Sequence, residues 1–479
     1  MKTIAIIGAG PAGLTVAYEI LTHSSEYEVK VFEKESLVGG LSKTYCFSGN
    51  RVDIGGHRFF SKQPYINKIW NEVLPEKEGG MLNRRRVSHV FYEGKMYEYP
   101  IQLSMPTIRK LGVFDALFII ASYLKAKMKK RKINSLEDFY INQFGEKLYQ
   151  MFFKQYTYKL WGIPAKDLSP NWGAQRVQGV SILAMLKNAF PCFKRNNSCR
   201  SFSCQFKYPS YGSGQFWDEL AKKVLKLGGE ILLGAEVTAI YGSESRVERL
   251  TYRKNNRICN VNSDIIISSL PLRDLIFMLN NTSSVIRNIA KGLHYRDMII
   301  VALEISKKNL GEALCKYNND CWVYVQDPDI GFGRIQLLNN WSSKMSGSNE
   351  NFVLELEYYC FESERLWKMT DEKIIKEAFR DLIEHKFLIG EVKPINYMVK
   401  RIPKAYPIYI DQYCELNTVK EWINNLDNLY CIGRNGQHHY NNMDHSMMTG
   451  IVTASIILGK KSNKEDIWSV NNDQEYIER

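Results

Sequence analysis

The sequence predicts an α/β protein that combines a discontinuous Rossmann-type nucleotide-binding domain, an inserted helical domain and a substrate domain containing a β-sheet. Three observations indicate this organisation. A glycine-rich turn joins a buried strand to a helix at the N-terminus, similar strands return after residue 228, and a strand-turn-helix unit lies near residue 430. The chain has 479 residues, of which 45% are apolar and 24% charged. This composition excludes fibrous and disordered proteins, and the length allows roughly two to four folding units.

The first element is a βαβ unit. Thr3–Ile7 is a continuous apolar run, typical of a strand that is buried on both faces. The turn Gly8-Ala9-Gly10-Pro11-Ala12-Gly13 follows, and Leu14–Leu21 then shows helical apolar spacing. A second strand, Glu28–Glu33, ends in a carboxylate 20 residues after the last glycine of the turn. This is the complete dinucleotide-binding pattern and not an isolated glycine motif.

Each residue of the pattern has a physical role. Gly8 permits the tight turn, Gly10 lets the backbone approach a pyrophosphate, and Gly13 lets the helix pack closely on the strand. The free amides and dipole of the helix N-terminus favour the negative charge of that pyrophosphate. Glu33 can accept the hydrogen bonds of an adenosine ribose.

The pattern resumes after a long insertion. Gly228–Leu233, Glu236–Ile240 and Asp264–Pro271 read as strands. Leu429–Arg434 reads as a strand feeding a turn, and Met447–Leu458 as an apolar helix capped near Asp444 or Ser446. One nucleotide-binding domain assembled from separate pieces explains this return.

A second glycine pair indicates which dinucleotide is bound. It lies in Leu37-Val38-Gly39-Gly40-Leu41-Ser42. It resembles the flavoprotein form of the fold, found in amine oxidases, phytoene desaturases and UDP-galactopyranose mutases, within the amine oxidase and protoporphyrinogen oxidase-like superfamily. This resemblance implies FAD as the cofactor. The expected FAD-binding domain comprises residues 1–64, 210–275 and 425–460. A mainly helical insertion covers 100–200, a substrate-binding sheet domain covers 65–99 and 276–424, and 461–479 form a polar surface tail.

Several further segments resemble the mutases in the order in which they occur. Gly55-Gly56-His57 resembles the sequence that lies against the flavin ring. Tyr99-Pro100-Ile101-Gln102 resembles a segment that meets uracil, and Trp172–Val177 resembles one whose arginine holds the phosphates. Tyr324 and Arg334 have the separation of a diphosphate-binding pair. For each segment the alternative is an ordinary core or surface residue.

The resemblance implies a set of site residues. The implied catalytic residues are His57, Arg176 and Arg334. The implied substrate contacts are Gln102, Tyr158, Trp161, Tyr324, Tyr406 and Tyr440. The implied cofactor contacts are Gly8, Gly10, Ala12, Gly13, Glu33, Gly39, Gly40, Leu41, Gly55, Gly56, Val237, Gly433, Arg434, Asn442, Met443 and Ser446. The chain departs from the mutases at Arg58, His438 and His439, which puts the identity of the sugar in question.

The implied activity is a pyranose/furanose isomerisation of a nucleotide sugar such as a UDP-sugar. It requires reduced FAD and passes through a flavin N5–sugar adduct, with NAD(P)H or a flavin reductase as the possible source of electrons. The alternative is an FAD-dependent oxidoreductase of the amine oxidase or desaturase type, which the cofactor motifs fit equally well. That alternative predicts an apolar tunnel in place of arginines and tyrosines.

The charge pattern leaves a third class open. Lysine and arginine outnumber acidic residues by 64 to 51, and the densest basic stretch is Lys125–Lys132. A solvated helix end explains this run, with an anionic substrate or acidic membrane surface as alternatives. No nucleic-acid-binding signature accompanies it, so no nucleic-acid partner is expected.

The N-terminal sequence, the cysteine spacing and the apolar stretches bear on localisation and metal binding. The N-terminus lacks a secretory pattern, and the ten cysteines lack C-x-x-C spacing, so we expect free thiols, no metal and a cytoplasmic protein. The longest apolar stretch, Val113–Leu124, contains Asp115 and is too short to span a bilayer, so we expect no transmembrane segment.

Overall fold

The computed structural model describes residues 1–99, 105–170, 205–317 and 319–470. The predicted α/β class is confirmed, with strands and helices interleaved along the chain. The strands are β1 (Lys2–Ile7), β2 (Tyr27–Glu33), β3 (Thr44–Phe47), β4 (Asn50–Asp53), β5 (Met81–Arg85), β6 (Ser88–Tyr92), β7 (Lys95–Glu98), β8 (Gln205–Pro209), β9 (Glu230–Leu233), β10 (Glu236–Gly242), β11 (Val247–Lys254), β12 (Arg257–Asn262), β13 (Ile265–Ser268), β14 (Tyr295–Ser306), β15 (Trp322–Val325), β16 (Arg334–Leu337), β17 (Asn351–Cys360), β18 (Asn396–Pro407) and β19 (Leu429–Cys431).

The helices connect these strands or pack on the sheets that they form. They are α1 (Pro11–His23), α2 (Pro64–Val73), α3 (Met105–Leu111), α4 (Val113–Met128), α5 (Leu136–Phe144), α6 (Glu146–Tyr149), α7 (Gln155–Trp161), α8 (Gly214–Lys226), α9 (Leu272–Met278), α10 (Ser284–Lys291), α11 (Glu312–Lys316), α12 (Leu338–Trp341), α13 (Arg365–Lys368), α14 (Asp371–Glu384), α15 (Leu416–Asn424), α16 (Gly433–Gly436), α17 (Met443–Ile457) and α18 (Glu465–Trp468). None of the helices in the described ranges is both long and apolar enough to cross a membrane.

The first sheet is parallel and has the order β19-β13-β1-β2-β9. Its central strand shows why the N-terminal run is apolar throughout. Ile4 and Ile6 join the core beneath α1, α8 and α17, whereas Ala5 and Ile7 join the core on the opposite face, against β10, β11, α9 and α10. Because successive side chains of a strand alternate between faces, a strand buried on both sides must be apolar at every position.

A close approach between α1 and α17 completes one face of this sheet. A Cβ placed on Gly450 of α17 would lie 2.7 Å from the carbonyl oxygen of Ala12 in α1. A larger residue at position 450 would therefore push the two helices apart. The contact fixes the C-terminal helix directly beside the glycine-rich turn, although more than 400 residues separate them in sequence.

The second large sheet has seven strands in the order β18-β14-β17-β16-β15-β6-β7, antiparallel except for the pair β15–β6. The hairpin expected between Val87 and Tyr99 is present as β6 and β7, with Glu93 and Gly94 at positive φ in its turn. One face of the sheet packs on α14, and the other packs on a second core that also includes residues of β4, β8, α5 and α7. Several residues of this second core also line the site described below.

The structure differs from the sequence-based prediction at the C-terminus. α17 begins at Met443, and its N-cap is Asn442 and not Asp444 or Ser446. The backbone N–H of Asn442 donates to Nδ1 of His445 at 3.1 Å, which closes a capping box that Asp444 could not form. The described part of the tail, up to residue 470, also includes α18, whose Ile467 is buried in the core beside α17.

Candidate functional site

A long groove runs over the carboxyl ends of β1 and β2, and we call it the nucleotide groove. It is bordered by the glycine-rich turn, Glu33, the loop 40–43, Val237 and the start of α17. This position, above the carboxyl ends of parallel strands, is where nucleotides bind in folds of this type. The N-terminus of α1 opens into the groove at Gly10, which is its N-cap.

The three glycines of the turn are required for different reasons. A Cβ on Gly8 would lie 2.2 Å from Oγ of Ser269, and one on Gly13 would lie 1.9 Å from the carbonyl oxygen of Gly8. Packing within the chain therefore excludes side chains at both positions. Gly10 has φ −82°, and its Cβ would make only an ordinary contact, 3.6 Å from Cα of Gly40. Because the chain itself has room for a side chain at position 10, the glycine there leaves space in the groove, as a close-lying pyrophosphate requires.

Glu33 is held at the end of β2 by two backbone donors. Its Oε2 accepts the N–H of Ala9 at 2.9 Å, and its Oε1 accepts the N–H of Glu35 at 3.0 Å. The residue is 7% exposed and lines the groove. A carboxylate oxygen has room for further hydrogen bonds, so Glu33 is fixed in place and can still accept from ribose hydroxyls.

Most of the expected cofactor contacts line the nucleotide groove. These are Gly8, Gly10, Ala12, Glu33, Gly40, Leu41, Val237, Gly433, Arg434, Asn442, Met443 and Ser446. Gly13 and Gly39 lie behind it and shape its wall. No local sequence pattern marks the cationic residues Lys43, Arg401 and Lys404, which also line the groove. They are ion-paired with Glu35, Asp371 and Asp274, respectively.

A second cavity opens at one end of the groove, and we call it the arginine–tyrosine cavity. The two spaces share the lining residues Leu41, Ile54, His57, Arg434, Asn442 and Met443. Its polar lining is dominated by two residue types, namely Arg58, Arg334, Arg434, Tyr99, Tyr156, Tyr324, Tyr359, Tyr406 and Tyr440. A ligand in this cavity would therefore touch the end of whatever occupies the groove.

His57 stands where the groove and the cavity meet. Its Nε2 lies 2.9 Å from the carbonyl oxygen of Ile54, so Nε2 carries the proton and donates it. Burial, followed by the nearby Arg434 guanidinium, lowers the pKa of His57 to about 4. The imidazole is therefore neutral at neutral pH, and backbone carbonyls of Ile54 and Leu41 hold it in place.

The paired glycines before His57 are explained by packing. Gly55 has φ 73°, and its Cβ would lie 3.1 Å from Oε1 of Glu357. A Cβ on Gly56 would lie 2.9 Å from Nε2 of Gln336 and 3.1 Å from Trp341. Both glycines therefore let this loop lie flat on β16 and β17. The expectation that they make room for a flat ring gains no support from these contacts, although both residues line the cavity.

Buried carboxyl groups of β17 support the same loop. Oε1 of Glu355 accepts the N–H of Gly55 at 2.8 Å. Burial, with a further contribution from neighbouring Glu357, raises the pKa of Glu355 well above its usual value. Glu357 is fully buried and accepts from Gln336 Nε2 at 2.8 Å and from the Tyr359 hydroxyl at 2.6 Å.

Arg334 is the most constrained cation of the cavity. Its Nη2 donates to Oε2 of Glu357 at 2.5 Å. Burial acts to lower the pKa of Arg334, but Glu357 together with Tyr359, Tyr156 and Tyr324 outweighs this effect, so the pKa lies above its usual value. Its Nε is buried without a hydrogen-bond partner within the described ranges. A charged guanidinium that is held in one orientation and lines the cavity suits an anionic oxygen there.

Arg434 is held by backbone oxygens and aromatic rings. Its Nε donates to the carbonyl oxygen of Asn441 at 2.9 Å, and its Nη1 to that of Ala405 at 3.3 Å. The guanidinium lies 5.5 Å from the ring centre of Tyr406 and 4.8 Å from that of Tyr440. These contacts leave Arg434 charged and unpaired with any carboxylate among the described residues, where the groove meets the cavity.

Three of the four tyrosines expected to contact substrate line the cavity. Tyr324, Tyr406 and Tyr440 line the cavity, and Trp161 packs edge-on against Tyr406 at 6.1 Å. Tyr158 is 53% exposed and lies outside the lining, whereas Tyr156 of the same helix is part of it. Positions two apart on a helix point in nearly opposite directions, which sequence spacing alone could not resolve. Gln102 and Arg176 lie outside the described residues.

Comparisons with known proteins agree with this geometry. Residues 6–73 match the NAD(P)-binding Rossmann-like domain family. The chain is 30% identical over 141 residues to 1-hydroxycarotenoid 3,4-desaturase of Flavobacterium sp. (strain P99-3), covering 28% of each protein. It is 21% identical over 460 residues to protoporphyrinogen oxidase 2 of Arabidopsis thaliana, covering 89% of this chain and 87% of that protein. It is 25% identical over 182 residues to a probable UDP-galactopyranose mutase of Klebsiella pneumoniae, covering 35% and 43%.

Solved structures extend the likeness over the whole chain. A reduced UDP-galactopyranose mutase superposes with a TM-score of 0.83 at 22% identity, covering 100% of this chain and 99% of the other. A putative protoporphyrinogen oxidase from Exiguobacterium sp. 255-15 gives 0.72 at 14%, covering 96% and 99%. The chain thus has the fold of the flavoproteins that include these mutases and oxidases. The mutase-like resemblance of the sequence is confirmed at the level of this fold, and its neighbours are a mutase and oxidoreductases.

Proposed function

We propose that this protein is a flavin-dependent nucleotide-sugar mutase, similar to UDP-galactopyranose mutase, with FAD in the nucleotide groove and a UDP-sugar in the arginine–tyrosine cavity. The observation that carries the proposal is the lining of this cavity by arginines and tyrosines where the groove ends. Guanidinium groups and phenols bind phosphate oxygens well. A desaturase substrate would call for an apolar tunnel in the same place.

The residues of the groove fit a flavin dinucleotide. Gly10 leaves space for the pyrophosphate at the N-terminus of α1, and Glu33 is oriented to accept from the adenosine ribose. The groove also receives the N-terminus of α17, whose partial positive charge suits the electron-rich pyrimidine edge of a flavin. When bound in reduced form, the flavin supplies a nucleophilic nitrogen for the anomeric carbon of the sugar.

The chain's own residues bind and orient the nucleotide diphosphate of the substrate. Arg334, fixed by Glu357, lines the cavity with a guanidinium that can bind a phosphate oxygen, and Arg434 lies where the phosphates would meet the flavin. Tyr324, Tyr406 and Tyr440 add hydroxyl donors around the same space. These contacts hold the nucleotide diphosphate in the cavity while it is detached from the sugar, which favours its return over its escape.

His57 has a positioning role in this proposal. As a neutral imidazole anchored to the backbone of Ile54 and Leu41, it is a fixed polar group at the meeting point of groove and cavity. It cannot act as a general acid at neutral pH because its proton on Nε2 is committed to a backbone carbonyl. We therefore assign it to holding the cofactor or its neighbouring backbone in place.

The sugar of the substrate is where this chain should differ most from the mutases that it resembles. Arg58 lines the cavity beside His57, and its guanidinium lies 5.7 Å from the ring centre of Trp322. A cation at this position favours a sugar that carries an acceptor or a negative charge near the flavin. We propose that Arg58 contributes to the choice of sugar.

The test is turnover by the FAD-loaded protein. Protein reduced with dithionite under anaerobic conditions is incubated with UDP-galactopyranose and a panel of UDP-sugars, and the products are separated. The proposal predicts a furanose isomer from at least one sugar with no net electron transfer. Oxidation of an amine or polyene with stoichiometric flavin reduction, and no isomer from any UDP-sugar, would favour the oxidoreductase instead.

A matched pair of variants distinguishes an effect on the proposed site from a general effect on protein stability. Arg334→Ala removes the fixed guanidinium of the cavity, whereas Arg365→Ala removes a surface arginine that is paired with Glu377. The first should lose isomerisation, and the second should retain it. Equal activity in both would remove Arg334 from the proposed site.

A further inference from the structure

One helix of the molecule has an exposed face whose composition is unusual for a surface. On α4 (Val113–Met128), the large apolar side chains that face outward beyond its first residue, Val113, are Phe114 (81% exposed), Leu117 (58%), Phe118 (64%), Leu124 (53%) and Met128 (82%). We call these five residues the apolar stripe. A surface helix ordinarily turns polar residues outward, so this face needs an explanation.

The stripe is a continuous face and not a scatter of single residues. Positions 114, 117, 118, 124 and 128 follow the 3-and-4 spacing that brings side chains onto one side of a helix. The opposite side is already used, since Ala116, Ile119, Tyr123 and Ala126 are buried, with Ile119 and Tyr123 in the core of the helical region. α4 therefore has two apolar sides, and packing within the described chain covers only one of them.

Positive charge continues from the end of the stripe. The basic run consists of Lys125, Lys127, Lys129, Lys130, Arg131 and Lys132, all of them exposed. Arg131 pairs with Glu146 at 2.6 Å, and Lys127 donates to the carbonyl oxygen of Asn142 at 3.2 Å. No ion pair joins Lys125, Lys129, Lys130 or Lys132 to an acidic side chain in the ranges that the structure describes. The net charge of the whole chain, +13, has the same sign.

We propose that the apolar stripe and the basic run together bind the surface of a membrane that contains anionic lipids. A helix that exposes aromatic and aliphatic residues on its outward face, with lysines beside them, can insert that face at the boundary between head groups and acyl chains. The 16 residues of α4 are about 24 Å long, which suits a helix lying in the plane of the surface. Anionic head groups supply the charge that complements the basic run.

Charge complementarity favours this occupant over a second copy of the chain. Two copies that paired through the stripe would meet apolar residues and a like-charged run, while the one acidic residue of α4, Asp115, is paired with Lys147 at 2.9 Å. The second copy would thus bury the stripe and leave the basic run without a partner. A negatively charged lipid surface satisfies both parts at once.

The test is flotation of the full-length, FAD-loaded protein with vesicles. Phosphatidylcholine vesicles with phosphatidylglycerol should carry the protein upward, vesicles of phosphatidylcholine alone should carry far less, and added salt should release it. Phe114→Ser combined with Phe118→Ser should weaken binding at least about tenfold, because both rings leave the interface. Lys129→Glu combined with Lys130→Glu should have an effect of similar size.

The control variants make the same kinds of substitution, apolar to serine and lysine to glutamate, at other places on the surface. Ile258→Ser alters a residue that is 74% exposed in β12, and Lys222→Glu with Lys226→Glu reverses charge on α8. Both should bind vesicles like the unchanged protein, and all variants should keep their FAD content. Absence of flotation with anionic vesicles, or equal binding by the Phe114/Phe118 variant, would overturn the proposal. The proposal would also be overturned if the unchanged protein does not bind vesicles and forms a dimer, and the Phe114/Phe118 variant is monomeric.

Discussion

The nucleotide groove and the arginine–tyrosine cavity adjoin, yet they are built in different ways. The groove is made of backbone: glycine positions, helix N-termini and one carboxylate fixed by two backbone N–H groups. The cavity is made of side chains from β15, β16, β17, β18 and the loops beside them. A backbone site is specified by a few local residues, whereas a side-chain site exists only after distant strands have come together.

The largest expected effect distinguishes two kinds of glycine in the groove. Gly13→Val places atoms where the carbonyl of Gly8 lies, so we expect a loss of stability of roughly 3 kcal/mol or more and little folded protein. Gly10→Ala meets only an ordinary contact and should unfold like the parent apoprotein, within about 0.5 kcal/mol, while binding FAD more weakly. Thermal unfolding of apoprotein and FAD titration measure the two quantities. Equal destabilisation by both changes would mean that Gly10, like Gly13, is needed for packing within the chain.

The second prediction concerns the cavity. Arg334→Ala removes a charged donor and should weaken UDP binding by roughly 1.5–3 kcal/mol. The unpaired Glu357 that remains could destabilise the fold, so Arg334→Ala with Glu357→Gln serves as a second variant in which the buried charge is also removed. Calorimetry with UDP measures the affinity, with Arg365→Ala as the control. Unchanged affinity in both cavity variants would place the diphosphate elsewhere.

The third prediction uses pH at the meeting point of the two spaces. The folded protein holds the pKa of His57 at about 4, below the ordinary value of 6.5, so the unfolded chain takes up the proton first as pH falls. The stability that depends on neutral His57 is therefore present above pH 6.5 and is lost as pH falls towards 4, by about 1–2 kcal/mol after screening by solvent.

His57→Gln isolates this contribution. The buried His438 has a pKa lowered to about 3 and acts in the same direction, but it is unchanged in the variant. The difference in unfolding free energy between parent and variant should shrink between pH 6.5 and pH 4. A difference that stays constant over this range would mean that His57 titrates normally.

The smallest effect separates two tyrosines of α7. Tyr156→Phe removes a hydroxyl from the cavity lining and should weaken UDP binding by about 0.5–1.5 kcal/mol. Tyr158→Phe alters an exposed side chain and should leave the affinity unchanged. If the order were reversed, the register of this helix relative to the cavity would be wrong.

The groove could be predicted from the sequence because its signals are local. The apolar strand, the glycine turn and Glu33 lie within one stretch, and the parallel sheet forms as they indicate. The N-cap of α17 was misplaced because Asn442, Asp444 and Ser446 are all good caps, and only the His445 contact selects the first.

Much of the cavity could not be derived from local pattern. Nothing in the sequence near Gly55 indicates that Glu355 and Glu357, about 300 residues later, lie beneath it. The partnership of Arg334 with Glu357 depends on the pairing of β16 with β17. The positions of Tyr324, Tyr406 and Tyr440 followed from family resemblance, and long-range packing chose Tyr156 over Tyr158.

The central claim is that a nucleotide diphosphate binds at the end of a bound flavin. Titration of the FAD-loaded protein with UDP, followed through the flavin absorption spectrum, tests this claim most directly. We expect a saturable spectral change that UDP-galactopyranose competes for and that Arg334→Ala weakens. A flavin spectrum unaffected by UDP at any concentration, in protein whose flavin is readily reduced by an amine, would contradict the account.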